Sequence, residues 1–204
     1  MSHSPSISPA VERPSMAEGS LSVDDSGWIV EAEKIPSPNF DERPLSEVVD
    51  LLVIHGISLP AGKFGTPYVD QLFTNQLKGT EEVGFEQLKD LYVSSHLLIR
   101  RSGRLVQYVS LERRAWHAGV SSFHGREFCN DFSIGVELEG ADEVPYTDAQ
   151  YEQLSVVINY LRKIFPEITR QRIVGHSEIA PDRKSDPGPA FEWQRLFGMM
   201  EKKQ

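Results

Sequence analysis

The chain has 204 residues, 39% of them hydrophobic, which is enough for one sizeable core and too few for two. Its 30 acidic and 21 basic residues give a formal net charge of −9, which argues against a general nucleic-acid binder built on a basic stripe. A single cysteine, Cys129, excludes an internal disulfide and a Cys–His zinc ribbon and fits a reducing compartment.

No apolar run reaches the roughly 18–20 residues of a membrane span. The start, MSHSPSISPAVERPSMAEGS, has neither the positive residues nor the apolar stretch of a secretory signal, so the cytoplasm is the expected location. Its Ser/Pro content predicts a disordered extension over residues 1–26, with Met16 as an alternative start and one ordered domain over 27–204.

A Pro-bearing connector at 35–44 leads into VVDLLVIH at 48–55, a continuous β-branched run that suits a strand covered on both faces. Thr66-Pro67 then reads as an N-cap followed by the first helical position, with Val69, Leu72, Phe73 and Leu77 at helical spacing behind it. Residues 96–101 and 105–111, joined through Ser102-Gly103, predict a hairpin. The segment FSIGVELE at 132–139 alternates, with Phe132, Ile134, Val136 and Leu138 on one face and Ser133, Gly135, Glu137 and Glu139 on the other.

Thr147 and Gln150 are spaced as a capping box. The helix behind them carries Tyr151, Leu154, Val157, Ile158, Leu161, Ile164 and Phe165, and Pro166 stops it. A short buried segment at 173–176, a loop from 181 to 193 and a terminal helix complete the chain. Interleaved strands and helices predict an α/β (α+β) fold, a central mixed sheet flanked by helices, without internal repeats.

Three ligand-type residues stand where buried segments or loops end: His55 after LLVI, His176 after IVG, and Asp186 in RKSDPGP. Two imidazoles and a carboxylate make a familiar zinc set that leaves the fourth tetrahedral position to water. A lone histidine at a strand end is more often a hydrogen-bonded core residue, and no short metal motif such as H-E-x-x-H is present. Glu137 is the second informative residue, because a buried carboxylate must be paired or do work. Gly135 on the same face leaves room for a close approach. Alternation does not separate Glu137 from Glu139, and a solvated edge-strand face explains either one. Lys184 is two residues from Asp186, where it either brings positive charge to the site or is an ordinary solvated lysine. Arg100, Arg101, Arg104, Arg113 and Arg114 form a local basic cluster within an acidic chain.

The strings LLVIHGISLPAGKFG, SSHLLIRRSGRLVQYVSLERRAWHAGVSSFHGRE, CNDFSIGVELEG, PYTDAQY and GHSEIAPDRKSDPGPAFEW, in this order over roughly residues 27–197, resemble the zinc-dependent amidase-2 family. That family shares its fold with peptidoglycan recognition proteins. The resemblance implies that His55, His176 and Asp186 bind Zn2+, that Glu137 transfers protons and that Lys184 faces the developing oxyanion. It also implies substrate contacts at Trp116, Arg101 and Arg126, and no ligand role for His96, His117 or His124. The expected reaction is hydrolysis of the amide between (1,6-anhydro)-N-acetylmuramic acid and L-alanine of muropeptides, in peptidoglycan recycling. The arginines at 100, 101, 113, 114 and 126 are then candidate partners for the stem peptide's carboxylates. A monomer with an anhydro-muropeptide substrate, and with neither nucleic acid nor membrane as partner, is expected.

The sequence departs from the family pattern at Gly56, where close members typically carry Asn, and residues 1–26 have no counterpart. Two other readings stand beside the enzyme: a peptidoglycan-binding module without chemistry, and a broader lytic amidase acting on intact wall. Recognition modules typically replace one metal ligand, and all three are present here. The missing export signal and the RKSDPGPAFEW ending oppose the lytic reading.

Overall fold

The computed structural model describes residues 21–201. Its first half holds β1 (Glu33–Lys34), β2 (Phe40–Asp41), β3 (Leu51–Ile57), α1 (Tyr68–Phe73), β4 (Leu97–Ile99), β5 (Leu105–Gln107) and β6 (Arg114–Ala115). Its second half holds β7 (Ser122–Phe123), β8 (Arg126–Glu127), β9 (Ser133–Glu139), α2 (Asp148–Ile164), β10 (Ile173–Gly175), α3 (His176–Ile179) and α4 (Trp193–Glu201).

Six strands form one mixed sheet in the order β1-β5-β4-β9-β3-β10, antiparallel only between β4 and β5. The sheet is covered on both faces, as the unbroken apolar run of β3 demands. Leu52 and Ile54 join Ile134, Val136 and Leu138 against Leu154, Ile158 and Leu161 of α2 and Leu196 of α4. Leu51 and Val53 face the other way, onto Phe123, Cys129 and Phe132. Each such buried aliphatic side chain contributes about 1.5–3 kcal/mol relative to exposure.

α2 begins as the sequence predicts. The Thr147 Oγ1 accepts from the Gln150 amide at 3.2 Å, and the Gln150 Oε1 accepts from the Thr147 amide at 3.1 Å. At α1 the start moves by one residue: Pro67 is the N-cap, and the Thr66 hydroxyl donates to the Leu59 carbonyl instead of capping. β3 starts three residues later than the apolar run, because Val48 is exposed and Asp50 is held by Arg126 and Arg172.

The expected domain boundary after residue 26 also moves. Leu21 is buried in the main core, Val23 bridges to Ile29, and the Asp24 carboxylate accepts from the Ser26 and Trp28 amides. That Asx-type turn, legible in DDSGW, makes residues 21–26 part of the domain. The rest of the predicted extension and Met16 lie outside the described residues.

Candidate metal centre and active site

The parallel strands β9, β3 and β10 end at one edge of the sheet, the position where open α/β sheets bind ligands. His55 is near the end of β3, His176 follows β10 directly as the first residue of α3, and Asp186 closes the loop beyond. The His55 and His176 Nδ1 atoms are 2.9 Å apart, and the Asp186 Oδ2 is 3.2 Å from His176 Nδ1 and 3.4 Å from His55 Nδ1. Zinc with tetrahedral bonds of about 2.0–2.2 Å requires ligand atoms roughly 3.3–3.5 Å apart, so these three atoms already form most of one face. Within the described residues they are the group suited to hold a metal.

The electrostatics agree. Burial pushes the His55 imidazole down to about 4, only partly offset by Asp186, so it is neutral and ligand-competent at pH 7. Burial would raise the Asp186 carboxyl, but its close contacts with the His176 and His55 imidazoles outweigh it and hold the carboxyl far below the usual range.

β9 runs between β4 and β3 and is buried along its whole length, which removes the solvated edge-strand reading of its glutamates. Register pairs Glu137 with His55 and Glu139 with Ile57. The two glutamates share a face but not a fate. Glu139 is tied down, its Oε1 accepting from the Gly65 amide at 2.5 Å and its Oε2 from the Arg101 amide at 3.1 Å. The Glu137 Oε2 is buried without a hydrogen-bond partner among the described residues. Burial and then the charge of Asp186 raise its carboxyl well above the ordinary value, while the charge of Lys184 opposes them. A buried unpaired carboxylate oxygen beside a ligand cluster is a position that calls for a further partner, such as a water. Lys184 is exposed on the 181–186 loop, near enough for its charge to act on both Glu137 and His55.

The predicted substrate contacts separate. Trp116 is half-buried immediately before His117, its backbone bonded to Asn39 and Ser94. Arg101 stacks over Phe64 at 4.7 Å and donates to the Pro145 carbonyl at 2.8 Å. It lines a surface depression of about 620 Å³ with Phe64, Thr66, Asp70, Arg100 and Glu139, beginning two residues beyond Glu137 on β9. Arg126 is elsewhere. It pairs with Glu47 and, at 2.8 Å, with Asp50, and its guanidinium covers Phe132. Asp50 precedes β3, so Arg126 lies at the opposite end of the sheet, five residues or roughly 16 Å from His55.

The basic cluster dissolves into pairs: Arg100 with Asp70, Arg104 with Glu33, Arg113 with Glu42, and Arg114 with Asp41 and Asp131. Of the arginines expected to meet the substrate, Arg101 alone has a guanidinium without a carboxylate partner among the described residues.

Sequence reasoning missed two contributors. His117 lies against His55, its Nδ1 2.9 Å from His55 Nε2, with its ring filling the space over Gly135. The close approach expected at Gly135 is thus made by this chain's own imidazole. Tyr146 lies beside Gly56, and its hydroxyl donates to the Pro187 carbonyl at 2.9 Å. Both sit in irregular segments, where periodicity gives no signal.

Comparison with known proteins gives the same picture. Residues 45–189 match the family described as N-acetylmuramoyl-L-alanine amidase. The 1,6-anhydro-N-acetylmuramyl-L-alanine amidase AmpD of Salmonella typhimurium is 55% identical over 176 residues, 86% of this chain and 94% of that one. A crystal structure of an AmpD selenomethionine derivative superposes with a TM-score of 0.83 at 53% identity, covering 86% of this chain and 97% of its own. The Escherichia coli amidase AmiD, solved with anhydro-N-acetylmuramic acid-L-Ala-D-γ-Glu-L-Lys, gives a TM-score of 0.57 at 27% identity, over 88% of this chain and 65% of that one.

Proposed function

The chain belongs to the N-acetylmuramoyl-L-alanine amidase family, and from that premise we propose that it hydrolyses the amide between 1,6-anhydro-N-acetylmuramic acid and L-alanine of muropeptides. The reaction serves peptidoglycan recycling. The carrying observation is the convergence of His55, His176 and Asp186 with the unpaired, buried carboxylate of Glu137 on the neighbouring strand.

We assign zinc to the three ligands, whose nitrogen and oxygen donors and spacings suit it. Zinc held there supplies a Lewis acid that polarises the amide carbonyl and makes a water nucleophilic at neutral pH. Glu137, held protonatable by its buried setting, takes the proton of the attacking water and returns it to the departing alanine nitrogen. The hydroxyl adds to the carbonyl carbon, the C–N bond breaks, and the products are the anhydro-muramic sugar and a free peptide. Lys184 places an ammonium near the carbonyl oxygen as negative charge grows on it, an interaction type whose loss commonly costs about 100–1000-fold in rate. Arg101, in the depression beyond Glu139, and Trp116, next to His117, are assigned to receive the substrate; Arg126 has no part in this reading.

The site is complete within one chain, which suits a monomer. We place the activity in the cytoplasm, which fits the buried, unpaired thiol of Cys129. No helix among the described residues is long and apolar enough to cross a membrane.

Mass spectrometry of the purified protein incubated with soluble anhydro-muropeptides and with intact sacculi, with and without chelator, tests the proposal. Chelator-sensitive peptide release from the soluble substrate, faster by orders of magnitude than from sacculi, is expected. Comparable turnover on sacculi would replace recycling by a lytic role, and binding without cleavage would leave a recognition module.

A further inference from the structure

The irregular segment between β6 and β7 brings the dipeptide His117-Ala118 across the ends of β3 and β10. The Asn130 Oδ1 accepts from both of its amides, His117 at 3.2 Å and Ala118 at 2.8 Å, so the dipeptide is pinned as a unit. Each of its residues meets a different histidine of the cluster. The Ala118 carbonyl is 3.2 Å from His176 Nε2, and the His117 Nδ1 is 2.9 Å from His55 Nε2.

Counting protons along these contacts leaves one arrangement. A carbonyl only accepts, so His176 carries its proton on Nε2 and leaves Nδ1 bare. The Ser133 hydroxyl donates its single proton to the Cys129 carbonyl at 2.5 Å, so towards His117 Nε2, at 3.1 Å, it accepts. His117 therefore carries its proton on Nε2, which makes its Nδ1 the acceptor for the Nε2–H of His55. His55 in turn leaves Nδ1 bare. Two lone pairs and the Asp186 Oδ2 then converge on one point, an arrangement that only a cation satisfies.

We propose that His117 is a positioning residue for metal binding: through the chain Cys129 carbonyl, Ser133 hydroxyl, His117, it fixes the tautomer and ring orientation of His55. The Ala118 carbonyl does the same for His176, so one loop orients both imidazoles. Both ring nitrogens of His117 are taken, by His55 and by Ser133, and Gly135 is its seat: a Cβ there would stand 2.5 Å from its Cγ. Partners of this kind raise ligand basicity, and their loss typically weakens metal binding by about 10–100-fold. The inference rests on the reading that the triad holds zinc.

The test is the zinc dissociation constant, measured by competition with a chromophoric chelator, together with the melting temperature of each metal-free protein. His117→Phe keeps the ring and removes the acceptor, and zinc should bind roughly 10–100-fold more weakly. His117→Asn returns an acceptor near the place of Nδ1 and should recover most of that loss, which a purely space-filling role would not predict. Parent-like affinity in His117→Phe, or Asn no better than Phe at equal metal-free stability, overturns the proposal. Should His117→Phe fail to fold, 15N imidazole spectra of the parent decide: Nε2–H on His117 before and after zinc is expected, and Nδ1–H refutes it. A parent that binds no zinc refutes the metal assignment itself, a result distinct from zinc bound with unchanged affinity in the variants.

Discussion

The Tyr146 hydroxyl occupies the space in which a side chain on Gly56 would begin, and its proton goes to the carbonyl of Pro187, one residue beyond Asp186. Gly56 itself directly follows His55, and its amide points at the Asp186 Oδ2 from 3.4 Å. One phenol thus braces the strand that carries His55 and the loop that carries Asp186. A side chain at 56 would have to share this space with the tyrosine hydroxyl, so one of the two would have to shift.

Gly56→Ala should therefore destabilise the fold by about 1–3 kcal/mol, the usual cost of overpacking. Tyr146→Phe alone should cost about 0.5–1.5 kcal/mol for the lost hydrogen bond. In the double variant the clash is relieved, so denaturant titration should return clearly less than the sum of the two. Strict additivity would mean that the two positions do not share this space.

For the ligands, elemental analysis of the purified protein should return about one zinc per chain, falling sharply in His176→Ala and in Asp186→Ala. His124, exposed between β7 and β8, is the control, and its alanine variant should keep the metal. Chelation should lower the melting temperature, because zinc held at about 1,000 times its dissociation constant adds about 4 kcal/mol to the native state.

The two glutamates of β9 should fail in different ways. Glu137→Gln should keep fold and zinc and lose about 100-fold or more in kcat, measured on anhydro-muropeptide. Glu139→Ala should show the reverse balance, since it removes the hydrogen bonds of the partly exposed Gly65 and Arg101 amides at about 0.5–1.5 kcal/mol each while leaving the chemistry in place. A Glu139 variant that is dead yet fully stable would shift the catalytic assignment along the strand by one pleat.

Acid should weaken the metal-free protein before its carboxylates titrate in the usual range. Burial lowers His55 to about 4, and burial followed by the charge of Arg43 lowers His96 to about 3, against 6.5 when unfolded. Between those values the unfolded chain binds protons that the folded chain refuses, so stability falls as pH drops from about 6.5 toward 4. The slope is about 1.4 kcal/mol per pH unit for each proton. His96→Asn, which keeps an acceptor for the Gly135 amide, should flatten the slope by about one proton. An unchanged slope in chemical denaturation across that pH range would show that His96 titrates normally.

Much of this was legible in the residues. The apolar run before His55, the alternation of FSIGVELE and the Thr147–Gln150 box correspond to β3, β9 and the start of α2. The pattern stopped at what lies across space. Glu137 and Glu139 are identical to a periodicity of two, and only the amides of Gly65 and Arg101, contributed by distant loops, tell them apart. The arginine cluster looked like one basic surface because its neutralising partners, Asp41, Glu42 and Asp70 among them, lie far away in sequence. Leu21 stands in a polar, Ser- and Pro-rich stretch that gives no periodic signal, yet its side chain is buried in the main core.

The His55–His176–Asp186 cluster also has a history along the chain. His55 and His176 are 121 positions apart, and their Nδ1 atoms meet only after β10 has paired in parallel with β3. Contacts of such long range are late and slow to form, because the loop-closure entropy comes before any reward. On the proposed zinc assignment the ligands come together only once the sheet is assembled, so the metal should not seed folding. Zinc would act as a latch on the finished edge: it should slow unfolding in a chevron measurement and leave the refolding arm almost where it was.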